Sequence, residues 1–111
     1  MGELQLAIVT PQGKAYAGAI TQVMVPGELG GFTIMRDHAP LIAALAPGLV
    51  QVKSPAGNLQ FAVGGGFLEV RMNKVVILAG WAEAAADAEQ GAALLKAHRT
   101  PAKPATPAKP G

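Results

Sequence analysis

Residues 48–79 decide the fold: Gly48-Leu49-Val50-Gln51-Val52-Lys53, then Ser54-Pro55-Ala56-Gly57-Asn58, then Leu59-Gln60-Phe61-Ala62-Val63, Gly64-Gly65-Gly66, Phe67-Leu68-Glu69-Val70-Arg71, Met72-Asn73-Lys74 and Val75-Val76-Ile77-Leu78-Ala79. The runs Gly48 to Lys53, Leu59 to Val63, Phe67 to Arg71 and Val75 to Ala79 are short and dominated by Val, Leu, Ile and Phe. Such side chains fit a pleated surface, and the Gly, Pro and Asn between them favour turns. Ser54–Asn58 and Arg71–Lys74 therefore read as hairpin connections. Gly64-Gly65-Gly66 lacks the Lys-Ser/Thr of a phosphate loop, and no helix opens after it. It reads as a strand distortion where two backbones come close.

Moving toward the amino terminus, Phe32 to Met35 is a further extended run, and Ile20 to Val25 is another, closed by Pro26-Gly27. Leu4, Leu6 and Ile8 alternate with Glu3, Gln5, Ala7 and Val9, the period of two that turns one face inward. Pro11-Gln12-Gly13-Lys14 marks a turn. Short strands recurring about every 8 to 12 residues, with no helix long enough for a crossover, predict a mainly β domain over residues 1–80, an antiparallel sandwich or barrel.

Moving toward the carboxy terminus, residues 82–98 are Ala-rich and free of Pro, which predicts a short helical segment within 81–99. On a helix, Trp81, Ala85, Ala88, Ala92 and Leu95 form one stripe, with Glu83, Asp87 and Gln90 opposite and Leu94 on that polar side. Acidic residues precede and Lys96, His98 and Arg99 follow, as the helix dipole prefers. Gly91 is the weak point, costing about 1 kcal/mol relative to Ala. The stripe is narrow, so the helix is expected to lie flat on the sandwich, anchored by Trp81. Residues 100–111 place Pro at 101, 104, 107 and 110, a period of three that predicts a disordered, basic, polyproline-like tail.

Composition excludes several functions. The 111 residues hold 9 Lys+Arg, 7 Asp+Glu, 2 His and no Cys, with 14% charged residues against about 25% in ordinary soluble domains. No disulfide framework, zinc finger or thiol nucleophile is available. Residues 99–111 carry Arg99, Lys103 and Lys109 without an acid, whereas residues 1–98 carry six bases against seven acids. The excess base sits in the tail, not on a folded face, so nucleic acid is not an expected partner. Ser54 lies in a turn outside any nucleophile elbow, adjacent Asp37 and His38 make a poor catalytic relay, and two histidines make no metal cluster. No catalytic residue, metal, cofactor or small-molecule substrate is expected. The opening Met1-Gly2-Glu3 does not read as a signal peptide, and Pro40, Pro47 and Gly48 break the longest uncharged run. From the residues alone, a stand-alone β-sandwich interaction module with a Pro-rich recruiting tail remains the competing reading.

Five features occur in order: Val9-Thr10-Pro11-Gln12-Gly13, with Tyr16-Ala17-Gly18; His38-Ala39-Pro40-Leu41-Ile42; Pro47-Gly48; Gly64-Gly65-Gly66-Phe67-Leu68-Glu69-Val70; and Asn73 to Ala79 with Glu83. From about residue 4 to residue 98 the chain resembles the epsilon subunit of F-type ATP synthases, whose mitochondrial counterpart is called delta. The resemblance implies a two-sheet β-sandwich followed by helical structure. It also implies a non-catalytic role in the central rotor stalk, between the gamma shaft and the c-subunit ring. The implied location is peripheral, on the cytoplasmic face of a bacterial inner membrane.

The family's ring-facing loop aligns with Glu28, Leu29, Gly30, Gly31 and Phe32. Its shaft and ring contact segment aligns with His38, Ala39, Pro40, Leu41 and Ile42. In a gapless alignment Gly27-Glu28-Leu29-Gly30 stands three residues early, and Gly31 takes the acidic position. A nucleotide-sensing motif of some relatives aligns with Ala86 to Gly91, where Gln90 and Gly91 replace its arginine and alanine, so no nucleotide site is expected around Asp87. Prolines every third residue cannot build the second long helix of many relatives. Inhibition of hydrolysis by an extended helix is accordingly expected to be reduced or lost, leaving at most weak tail contacts with the alpha/beta head.

Overall fold

The computed structural model describes residues 3–99. Along that span run β1 (Leu4–Thr10), β2 (Gly13–Ile20), β3 (Gln22–Val25), β4 (Phe32–Met35), β5 (Leu41–Ser54), β6 (Gly57–Arg71), β7 (Lys74–Ala79), β8 (Ala82–Ala85) and α1 (Ala88–Arg99). The strands form one hydrogen-bonded sheet in the order β2-β1-β7-β6-β5-β3-β4, with β8 on β6. It is antiparallel except where β1 runs parallel to β7.

Two long strands turn this single sheet into a sandwich. The first half of β5 and the second half of β6 continue the layer of β7, β1 and β2, with Leu41 opposite Val70 and Phe67 opposite Leu78. The other halves join β3, β4 and β8, with Val52 opposite Val23 and Phe61 opposite Ala84. The change of layer falls at Pro47 and the glycines. Register is kept from Leu45 opposite Gly66 to Pro47 opposite Gly64, but the ladder skips the pair between them, where Gly65 lies at φ 91°. Glycine tolerates the positive φ that lets a strand change direction here. At Gly66 a Cβ would run into the Leu78 carbonyl oxygen, and φ is 146°, so no other residue fits there. The three glycines are thus the strand distortion and close approach expected of them.

Between the layers lies an apolar core. Leu6, Ile8, Val23, Ile34, Val50, Val52, Val63, Leu68, Val75 and Ile77 are nearly inaccessible, and no polar or charged residue among those described is fully buried. Burying each large aliphatic side chain contributes about 1.5–3 kcal/mol. In β1, Leu4, Leu6 and Ile8 face inward and Gln5 outward, as their alternation requires.

Several elements differ from the sequence reading. β2 was not expected: its Gly-Lys-Ala-Tyr-Ala-Gly-Ala run is mostly exposed at an edge, and small residues leave no hydrophobic period. The run Ile20 to Val25 divides at Thr21, whose N–H donates to the Lys53 carbonyl at 2.7 Å. β5 begins at Leu41, earlier than Gly48, and β6 passes unbroken through Gly64–Gly66. The largest correction lies at residues 82–85. They form β8, not the first turn of a helix, because the edge of β6 at Gln60–Val63 offers backbone partners that outweigh alanine's helical preference.

The helix starts at Ala88 behind a reciprocal cap. The Gln90 N–H donates to Asp87 Oδ1 at 2.8 Å, and the Ala86 N–H donates to Gln90 Oε1 at 2.5 Å, a variant of the capping box. Asp87 and Gln90 therefore hold the helix entrance. The face turned to the sandwich is Gly91, Leu94, Leu95 and His98, while Ala88 and Ala92 are exposed. The stripe expected from Trp81 is out of phase with this face because residues 82–85 are extended. Gly91 is buried, and a Cβ there would strike Leu49, so its cost in propensity permits close docking. Trp81 does anchor the helix: its ring stacks on His98 at a centroid distance of 3.5 Å, above Gly64. His98 Nε2 lies 2.6 Å from Glu83 Oε2. The proline-rich tail expected over 100–111 falls outside the described residues.

Two predictions follow from this geometry. Gly66→Ala should cost roughly 3 kcal/mol or more, since it combines a backbone clash with a disfavoured φ; a urea midpoint close to that of the parent would contradict the close approach. Asp87→Ala should weaken α1 by about 1 kcal/mol. The Trp81 fluorescence transition should then fall to a lower temperature than the loss of β circular dichroism. Unshifted, coincident transitions would show that the cap contributes nothing.

Candidate functional site

The loop holding Glu28, Leu29, Gly30 and Gly31 joins β3 to β4 and is tied to β5. Gly30 N–H donates to the Gly27 carbonyl at 3.0 Å, Glu28 N–H to the Ala44 carbonyl at 3.0 Å, and Ala46 N–H to the Pro26 carbonyl at 2.8 Å. Phe32 is half-buried and packs where a Cβ on Gly27 would lie 2.7 Å from its ring. Backbone bonds thus brace the loop while Leu29 stands wholly exposed at its tip. The Glu28 side chain is exposed as well.

At the other end of the four-residue β4 lies the second segment, His38 to Ile42. His38 N–H donates to the Met35 carbonyl at 3.2 Å. His38 Nδ1 is 2.7 Å from the Ala39 carbonyl oxygen, which can only accept, so Nδ1 carries a proton. Pro40 biases Ala39 to extended geometry and leads the chain into β5. There the alternation of the strand separates neighbours. Leu41 is half-buried against the core, whereas Ile42 is 74% exposed on the outer face. Ile42 therefore presents more of its side chain to solvent than Leu41 does.

The two segments are therefore separate features along one side, not a single pocket. The structure adds residues that motif reading missed. Phe67 and Leu78 are both more than half exposed, and they pair across β6 and β7 beside Ala44 of β5. With Ile42, Val76 and Glu69 they line a shallow hollow of about 170 Å³. Their signal was present in the sequence. Phe67 and Leu78 occupy the outward positions of strands whose inward positions are Leu68, Val70 and Ile77, and a strand apolar on both faces is usually covered on both.

Several polar groups elsewhere are engaged structurally. Ser54 Oγ donates to the Gly57 carbonyl at 2.7 Å within its turn. Asp87, Gln90 and Gly91 form the entrance and docking face of α1, as described above. Among the described residues no three His, Cys, Asp or Glu side chains converge as metal ligands, and no helix is long and apolar enough to cross a membrane. A hollow of about 400 Å³ beside Trp81 is lined by Lys14, Glu83 and His98 among others. The His98–Glu83 pair there is substantially solvated, which makes it a weak contributor to stability.

Comparison with known proteins agrees with this geometry. The family model for the ATP synthase, Delta/Epsilon chain, beta-sandwich domain matches residues 3–85, ending where β8 ends. The ATP synthase epsilon chain of an Anaeromyxobacter species is 42% identical over 84 residues, 76% of this chain and 64% of the relative. That of Rhodobacter capsulatus is 42% identical over 76 residues, covering 68% and 58%. The chain thus spans less than two thirds of the length of these curated relatives. Among solved structures, a chain of the Euglena gracilis mitochondrial ATP synthase superposes with a TM-score of 0.71 at 20% identity, over 96% of this chain and 69% of that one. One from the Tetrahymena thermophila central stalk and c-ring gives 0.64 at 14% identity, over 74% and 66%; at these identities the likeness is one of fold. With the family model matched from residue 3 to residue 85, over the whole sandwich, the chain belongs to the ATP synthase delta/epsilon chain family.

Proposed function

We propose that this chain is a non-catalytic central-stalk subunit of an F-type ATP synthase, linking the gamma shaft to the c-ring and helping to couple proton transport to ATP synthesis. The observation that carries the reading is the apolar outer row of Ile42, Phe67 and Leu78, on a sandwich matched to this family. Large apolar side chains gathered on one solvent face mark a protein contact.

In this reading each residue holds or transmits, and none reacts. Ile42 seats against the shaft with Phe67 and Leu78, while His38, Ala39 and Pro40 meet the shaft and ring from the loop above. Leu29 and Glu28 reach toward the ring, the first as an apolar tip and the second as a carboxylate for a basic partner. Gly30 and Gly31 let that loop turn, and Phe32 packs behind it. Torque needs a stiff body, and a close-packed apolar core deforms little. No cofactor or small-molecule substrate enters this role. The subunit would lie peripherally, on the cytoplasmic face of a bacterial inner membrane, carried there by the complex. α1 packs across Leu49 on the second layer, which supports a reduced or lost extended-helix inhibition. Any contact of the tail with the alpha/beta head would be weak.

Ile42→Asp should abolish co-purification with gamma and the c-ring, costing a few kcal/mol of binding if the charge is buried unpaired. The same variant should change the chain's own stability by only about 0.5 kcal/mol, since the site is exposed. Leu41→Asp should instead destabilise the sandwich itself. Undiminished co-purification of Ile42→Asp would reject the proposed docking face.

A further inference from the structure

The turn between β6 and β7 places Met72 at φ 51° and Asn73 at φ 63°. Two successive positive φ values define a type I′ hairpin turn, which strongly favours Asn, Asp and Gly. Asn73 fits that preference. Met72 does not, because an unbranched apolar side chain gains no local hydrogen bond to offset left-handed geometry. Nor does packing hold it there, since Met72 is 85% exposed. Neither folding term accounts for a methionine at this position. A strained residue whose side chain is turned to solvent points to a role outside the fold.

The neighbour of this turn supplies the role. Asp37, also at positive φ (66°), donates its N–H to Asn73 Oδ1 at 2.6 Å, and Asn73 Nδ2 donates back to Asp37 Oδ1 at 3.2 Å. The Asn73 carbonyl meanwhile accepts from the Gln5 N–H at 2.9 Å. One asparagine thus ties together β1, the β6–β7 turn and the loop that carries His38. We infer that Asn73 is a positioning residue that clamps the two turns into a single docking tip, on which Met72 is an apolar contact for the protein partner met by His38 to Ile42. The inference rests on the proposed rotor role for the identity of that partner, the gamma–c-ring assembly. Apolar Ala39, Pro40 and Ile42 beside it call for the same chemistry, a shallow apolar seat.

Full-length chain with Met72→Asn should melt a few degrees higher, because Asn relieves the turn. It should also bind a purified gamma–c-ring subcomplex about tenfold more weakly, as expected for loss of one anchoring side chain. Gain of stability with loss of binding is an outcome that a structural role for Met72 cannot produce. An unchanged affinity, or a melting temperature that does not rise, overturns the assignment of Met72. In the isolated chain, Asn73→Gly should speed hydrogen exchange of the Asp37 amide about fivefold, whereas Asp37→Asn should preserve its protection. Unchanged exchange in Asn73→Gly overturns the clamp. If the parent chain itself fails to bind the subcomplex, the rotor reading falls and takes the partner of Met72 with it. The exchange measurement, needing no partner, still decides the clamp.

Discussion

The contact between Gly66 and the Leu78 carbonyl fixes more of this molecule than any other. It lets β6 pass so close to β7 that the strand bends without losing its ladder. β5 bends with it at Pro47, and the paired strands then serve both layers. A sandwich usually needs a separate set of strands for each sheet. Here two strands of fourteen and fifteen residues supply a hinge and the middle of both. The same bend makes room above Gly64 for Trp81, and through Trp81 it seats α1. Position, core and helix docking therefore descend from a short glycine run.

How much of this could be read from the chain depended on whether a segment's own chemistry or its neighbours set its state. β1, β4 and β7 were legible because their inward residues alternate or cluster with turn formers beside them. β2 was not, since Ala15, Ala17 and Ala19 carry no periodic signal and the strand exists through its pairing with β1. Ala82–Ala85 point the other way: intrinsic preference says helix, and an available strand edge wins. Motif likeness pointed to the segment His38–Ile42 as a candidate but could not assign Leu41 and Ile42 to opposite faces. That required the register of β5 on β6, which a shift of one residue would reverse.

The outer face and the Met72 turn illustrate a shared tension. Ile42, Phe67, Leu78 and Met72 would each be replaced by polar residues if the isolated chain's stability and solubility were the only demands. Their presence costs solubility at the sheet and strain at the turn. Such departures from local consistency concentrate where a protein meets something else. They are also the positions that composition cannot expose, because half the residues are hydrophobic throughout and the count does not say which side they face.

Stiffness connects the remaining features to the proposed role. In that role, rotation carried through a small subunit is lost wherever the body yields, so the loops proposed to meet partners must move as little as the core. The hairpin with Leu29 is braced by three backbone hydrogen bonds, two of them to β5. The loop with His38 is braced by the Asp37–Asn73 pair. Both braces end on strands of the close-packed first layer, the layer whose outer face carries Ile42, Phe67 and Leu78. In the proposed role, force applied at either loop would enter the same set of strands. On the other layer, Asp87 and Gln90 cap α1 and Glu83 meets His98, which holds the helix in place away from the apolar row. In the proposed role one layer would bear load and the other close the fold over it, a division that follows from the single bend at which β5 and β6 change sides.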